Sequence, residues 1–239
     1  VIFAGLRGLA ALSLTAGAAG CAIIPSSDVS TFAQRTGANS FEVFDRGVTP
    51  EQALVLPVVH DRQTKGPACG AHALASVVNY WRGGSTVTGR EIFSEAPPAR
   101  ETGYSMAELV ALAQAQGLLA SAVRLAESSV IEELERGRPV LVPVRLPSVF
   151  IQQRVLPGGE IPLLGTVRNA VIDRAGLVSE LGGMGMVDHY LVVVGHDEDR
   201  VVVVEPIGGY RTISSRKLER YRRAFGDAAI VFSAPPQSG

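Results

Sequence analysis

The chain has 239 residues, 46% of them apolar and 19% charged, with 22 basic against 23 acidic side chains and a net charge of −1. That length and apolar fraction suit one ordinary globular domain with a real core, and exclude a disordered or fibrous chain. The basic residues are scattered and matched by acidic ones, so no electrostatic footprint for a nucleic acid is present.

The first 21 residues, VIFAGLRGLAALSLTAGAAGC, carry one Arg, no acid and a small apolar run from Gly8 to Gly20. The run is too short and too rich in Ala and Gly to span a bilayer. It has the form of a secretory signal peptide with small residues before a cleavage point. Ala18, Ala19 and Gly20 before Cys21 resemble a bacterial lipobox, with Ala18 where a larger aliphatic residue is usual. The resemblance implies a signal peptide over 1–20, lipidation of the Cys21 thiol and a membrane anchor. Ala22 after it implies routing to the periplasmic face of the outer membrane. An ordinary apolar N-terminal helix is the alternative. Residues 21–50, rich in Ser, Thr, Gly and Asn, read as a lipidated tether, and 51–235 as the folded domain.

A short extended segment is expected near Leu54–Val59. Leu74, Val77, Val78 and Trp81 fall at i, i+3, i+4 and i+7, which predicts a helix from Cys69 to its stop at Gly83 and Gly84. The stretch from there to Ala99 reads as a loop. Ser105 and Glu108 form a capping box for a second helix ending at Gly117, with Met106, Leu109, Val110, Leu112 and Ala113 as its buried face. LLASAVRL is a strand. Ser129 and Glu132 form a second capping box, opening a short helix that stops at Gly137. PVLVPV is nearly all apolar and so is expected to be a central strand. Residues 146–186 read as an insertion with partial structure of its own, placed to line or cover a cleft. DHYLVVVGHDEDRVVVVEPIGG is a hairpin signal, SRKLERYRRAF an amphipathic helix and AAIVF a last strand. This order predicts an α+β domain with helices on a mainly antiparallel sheet.

The hairpin suggests chemistry. Pairing Gly195 with Asp199 would place Val193 opposite Val201 and His189 opposite Glu205, with Cβ atoms about 4.5–5.5 Å apart. A carboxylate beside an imidazole fixes its tautomer and favours the charged ring. Cys69, at a helix N-terminus where free amides favour a thiolate, has the character of a nucleophile. With Cys21 lipidated, it would also be a lone thiol in an oxidising compartment; a Cys21–Cys69 disulfide is the other reading. Gln63, six residues before Cys69, carries an amide suited to donate to an oxyanion together with the Cys69 N–H. His72 is too local to bridge to a substrate and shows no orienting partner. His196 is expected in the turn, solvated, and His60 to be structural. A zinc site would have to converge Cys69, His72, His189 and Glu205. No metal or other cofactor is implied by the preferred reading.

Gln63, the block ACGAHALASVVNYW around Cys69 and HYLVVVGHDEDRVVVVEP from His189 resemble the C39 family of bacterial cysteine peptidases, over roughly residues 55–233. The resemblance implies a papain-like cysteine protease fold, in which an N-terminal helix bearing Cys packs on the sheet bearing His. It implies Gln63 as oxyanion donor, Cys69 as nucleophile, His189 as general base and acid, and Glu205 at the acid position, where the family usually has Asp. Its stand-alone exported members are the relevant comparison, because neither a transporter span nor a P-loop accompanies the motifs. The expected function is a thiol peptidase acting on exported proteins or peptides. Its partners would be a peptide or protein substrate, the membrane through the lipid anchor, and a secretion system. The competing readings are a non-enzymatic peptide-binding or secretion-assisting protein on a degenerate C39-like fold, and another thiol acyl transfer such as a transglutaminase-like or amidase reaction.

Overall fold

A computed structural model describes residues 54–64, 66–151, 174–197 and 200–233. The expected signal peptide, the tether and the Cys21 lipidation site lie outside the described residues.

Helix α1 (Cys69–Arg82) runs through the middle of the molecule. Every residue from Gly70 to Asn79 is buried, because α2 (Gly89–Glu95), α3 (Met106–Ala115) and strands β3 (Val140–Pro147) and β4 (Met186–His196) all pack against it. Leu74, Val77 and Val78 are fully buried, which at about 1.5–3 kcal/mol each makes this helix a main source of core stability. Its C-terminus closes at Gly83 in the left-handed region, as expected. The expected loop from Gly83 to Ala99 instead contains α2. Thr88 and Glu91 cap that helix reciprocally, a capping-box signature present in the sequence but outweighed by the flanking glycines and prolines.

Helix α3 has the expected Ser105–Glu108 capping box. Of its expected buried face only Leu109 and Ala113 are fully buried; Met106, Val110 and Leu112 sit at the core's margin. After β2 (Leu119–Arg124), helix α4 (Glu127–Glu135) starts two residues before Ser129. Ser129 and Glu132 therefore lie inside it and do not cap it. Its first turn carries Glu127, which suits the positive end of the helix.

All strand pairings among the described residues are antiparallel. The remaining strands are β1 (Leu54–Val55), β5 (Arg200–Glu205), β6 (Gly209–Ser214) and β7 (Ala228–Ser233). The sheet order is β2-β7-β3-β4-β5-β6, with β1 added at the far end of β4. Strand β3 is central, as its apolar run predicts. Strand β6 is an element that the sequence analysis did not anticipate; its sequence GYRTIS is too polar and short to stand out. The expected insertion, 146–186, falls between β3 and β4, with Leu146 and Pro147 still part of β3. It begins with α5 (Ser148–Ile151) and ends in a helical segment, α6, over 174–182. Glu180 on α6 accepts hydrogen bonds from Arg220 and Tyr221, which docks this segment on α7 (Ser215–Arg222). The rest of the insertion lies outside the described residues.

The β4–β5 register departs from expectation. Val193 pairs with Val203, not Val201, and a bulge at Val194 separates that pair from Gly195↔Val202 and His196↔Val201. The bulge lets β1 approach closely: a Cβ on Gly195 would fall 2.2 Å from the Leu54 carbonyl oxygen. On the Val193 side of the bulge the offset is two residues, which keeps those side chains on the expected face; at Gly195 it is three.

Gly89 is the other tight point. A Cβ there would lie 2.4 Å from the His72 Cα, with helix backbone on the far side. Gly89→Ala should therefore destabilise the fold by about 1–3 kcal/mol through overpacking. A urea melt with an unchanged midpoint would show that α2 can move away from α1 at no cost.

Candidate active site

Cys69 opens α1, half-buried, with no side chain capping the first turn and no acidic residue in it. The approach through Gly66, at a positive φ, Pro67 and Ala68 brings the chain sharply into the helix. His189 lies on β4, opposite Val144 of β3, and is buried. Because α1 packs on β4, the thiol and the imidazole meet, and their side chains hydrogen-bond. The structure thus joins two residues 120 positions apart in sequence.

Glu205 completes the chain by a route different from the expected one. Continuing the observed register one step past Val192↔Val204 puts Glu205 opposite Leu191, one diagonal position away from His189. Diagonal neighbours on one face are about 7–8 Å apart and are bridged only by long side chains. The additional methylene of glutamate spans this offset, and Oε1 accepts from His189 Nε2 at 2.7 Å. The same oxygen accepts the Ile207 N–H at 2.8 Å, and Oε2 accepts the Gly208 N–H at 2.5 Å, with Arg211 Nε 3.7 Å away. An ionised carboxylate only accepts, so Nε2 carries its proton and Nδ1 is left for the thiol.

Burial opposes charge on both partners. At His189 it is overcome by the Cys69 charge and hydrogen bond and by Glu205, and the ring is pushed up to about 10. At Glu205 it is overcome by His189, Arg211 and the Ile207 amide, and the carboxyl is held down at about 2. The stability contributed by charged His189 is full below pH 6.5 and is lost as pH rises through about 10. That contributed by ionised Glu205 is full above pH 4.5 and is lost as pH falls through about 2.

Gln63 is buried in the loop before Cys69. Its Nε2 donates to the Gly66 carbonyl at 2.6 Å, its Oε1 has no hydrogen-bond partner, and its backbone N–H donates to Pro206 O at 2.8 Å. The loop that carries Gln63 is therefore tied directly to the turn that follows Glu205.

Two of the other histidines, His72 and His196, differ from expectation. His72 does have a carboxylate partner: Asp61 Oδ2 lies 2.5 Å from its Nδ1 and also accepts the Gly89 N–H at 2.7 Å. This pair fastens α1, α2 and the loop before Gln63 together, and it directs His72 onto Asp61 instead of into a zinc site. Among the described residues no group of three or more His, Cys, Asp or Glu side chains is placed to hold a metal ion. His196 is the last residue of β4, half-buried and 3.8 Å from Glu135, not solvated in the turn. His60 is buried, with Nε2 2.8 Å from Pro206 O. Two tyrosines also line this region: Tyr190 donates to the Tyr104 carbonyl at 3.0 Å, and its hydroxyl is pushed up by burial and by the Cys69 charge. Periodicity could flag these tyrosines only as core residues.

The diagonal offset yields a test. In a histidine NMR titration, Glu205→Gln should bring His189 down from about 10. Glu205→Asp should do nearly the same, because the shorter side chain cannot span the diagonal. An aspartate variant that titrates like the parent would show that β5 can shift to compensate. The destabilisation by Glu205→Gln should be largest between pH 4.5 and 6.5 and should shrink as pH rises towards 10.

Residues 50–158 match the family model described as papain-like cysteine protease AvrRpt2. The matched stretch includes Gln63 and Cys69, whereas His189 and Glu205 lie beyond it. No curated protein matches the chain. Among solved structures it is similar to the peptidase domain of Streptococcus ComA, a bi-functional ABC transporter involved in a quorum sensing pathway. The identity is 15%, with 76% of this chain and 99% of that chain covered and a TM-score of 0.49. A C39-like peptidase from Bacillus anthracis is similar at 15% identity, with 76% and 98% covered and a TM-score of 0.49. A double glycine motif protease from an AMS/PCAT transporter, solved in complex with the leader peptide, is similar at 15% identity, with 78% and 97% covered and a TM-score of 0.46. The chain is thus similar to papain-like cysteine proteases over the stretch that bears Gln63 and Cys69, and its solved neighbours include C39 peptidase domains.

Proposed function

We propose that this protein is a thiol peptidase that hydrolyses peptide bonds of exported proteins or peptides through Cys69, His189 and Glu205. The observation that carries the reading is the hydrogen-bond chain from half-buried Cys69 through buried His189 to buried Glu205. A carboxylate-backed imidazole on a thiol at a helix N-terminus is a nucleophile, base and orienter in the required order.

The Cys69 thiolate attacks the scissile carbonyl carbon, and the carbonyl oxygen takes up the negative charge. The Cys69 N–H and the Gln63 amide hydrogen not spent on Gly66 stabilise that oxyanion. Collapse of the intermediate breaks the C–N bond as His189 delivers its Nδ1 proton to the leaving amine, leaving a thioester on Cys69. Neutral His189 then takes a proton from water, the hydroxide adds to the thioester, and release of the acid restores the thiolate and imidazolium. Glu205 stays ionised throughout and keeps the Nε2–H oriented.

Export rests on the signal-like residues 1–20 and the lipobox-like run before Cys21. In this reading lipidated Cys21 anchors the domain at the periplasmic face of the outer membrane, where substrates emerge from a secretion system. Among the described residues no helix is long and apolar enough to cross a membrane.

Cys69→Ala should lower cleavage of a peptide library by roughly 10³-fold or more and abolish labelling by a thiol-reactive peptide probe. If it leaves the biological phenotype intact, the protein acts by binding and not by hydrolysis. Incorporation of an added amine in place of a new N-terminus would identify acyl transfer instead. Cys21→Ser should move the protein from the membrane fraction to the soluble fraction; an unchanged distribution would remove the lipid anchor from the proposal.

A further inference from the structure

The two halves of the site meet at one carbonyl oxygen. Pro206 O accepts the Gln63 backbone N–H at 2.8 Å and lies 2.8 Å from His60 Nε2. On one side of this carbonyl, Ile207 and Gly208 give their amides to the Glu205 carboxylate. On the other side, Gln63 leads through Gly66 to Cys69. The position of Pro206 O therefore fixes the acid and the oxyanion loop relative to each other.

His60 is 8% exposed, and its Nδ1 is buried without a hydrogen-bond partner. A buried polar atom left unsatisfied is destabilising, so an aliphatic residue would fill this space at lower cost. What an aliphatic residue cannot supply is the Nε2–H. Burial pushes the His60 ring below its ordinary value, consistent with a neutral ring that carries its single proton on Nε2 and leaves Nδ1 as an unused acceptor.

We propose that His60 is a positioning residue of the active site: its Nε2–H, with the Gln63 N–H, pins the Pro206 carbonyl and so sets Glu205 against His189 and Gln63 against Cys69. This rests on the peptidase reading for its catalytic consequence, although the effect on His189 does not require turnover. His60 touches none of the reacting atoms. Its influence passes through the backbone of the turn at Pro206.

Three variants of the full chain test this. His60→Leu keeps the bulk and removes the donor. His60→Asn keeps polarity, but its short amide falls away from the Nε2 position. His60→Gln places an N–H close to where Nε2 stood. Labelling of Cys69 by a peptide probe should fall roughly 10- to 100-fold in the Leu and Asn variants and recover in the Gln variant. The His189 titration should move down by roughly one pH unit or more in the first two and return in the third. A folded Leu or Asn variant whose His189 titrates as in the parent overturns the proposal, and so does a Gln variant as impaired as the Leu variant. If the Leu variant does not fold, the Asn and Gln pair decides. A parent that no probe labels would sink the peptidase reading, and the His189 titration would still decide the role of His60.

Discussion

The buried hydrogen bond between His189 and Glu205 is the interaction on which the site depends. Both side chains are almost wholly withdrawn from water, and a charged pair there is tolerated only when its remaining polar atoms are satisfied. Here the satisfaction is local. Glu205 ends β5, and the next residues turn back so that two amides face its carboxylate. The strand end supplies the acid, and the turn supplies the donors that keep it ionised. The imidazole then has one nitrogen committed to Glu205 and the other to the thiol.

The thiol reaches the imidazole because α1 is a central helix. A helix buried on all sides has its ends set by its neighbours, and α1 is set by β4 beneath it and by α2 and α3 alongside. Gly89 permits the closest of these approaches, and the Asp61–His72 pair fastens it. Asp61 and His72 thus resemble a second carboxylate–imidazole dyad, yet their partners are structural: a helix amide and the loop that carries Gln63. The same residue types serve positioning in one place and proposed chemistry in another: the Cys69 thiol meets His189, whereas the Gly89 amide meets the carboxylate of the other pair.

The glutamate at the acid position shows how sequence and structure inform each other. Judged by residue type against a pattern with aspartate, Glu205 is a departure that weakens the reading. With the bulge at Val194 and the two-residue offset of β5, it becomes the residue whose length fits. The sequence-based register reached the correct contact through a pairing that the structure does not have. Symmetry about the turn identified which two residues share a face, because a two-residue slip preserves alternation. It could not identify the bulge, beside which β1 pairs at Gly195 from a part of the chain about 140 residues away.

What the sequence by itself determined were the features set by local physics. The helix from Cys69 to Gly83, the capping box at Ser105, the central apolar strand and the hairpin follow from periodicity, caps and turn chemistry within a few residues. The identities of Gln63, Cys69, His189 and Glu205 as candidates were legible from residue type, spacing and a family resemblance. Only the tertiary structure decided how those candidates meet. It set the diagonal reach of Glu205, the meeting of Gln63 and His60 on one carbonyl, and the capture of His72 by Asp61. Each of these depends on segments far apart in the chain, and no local pattern encodes the distance between them.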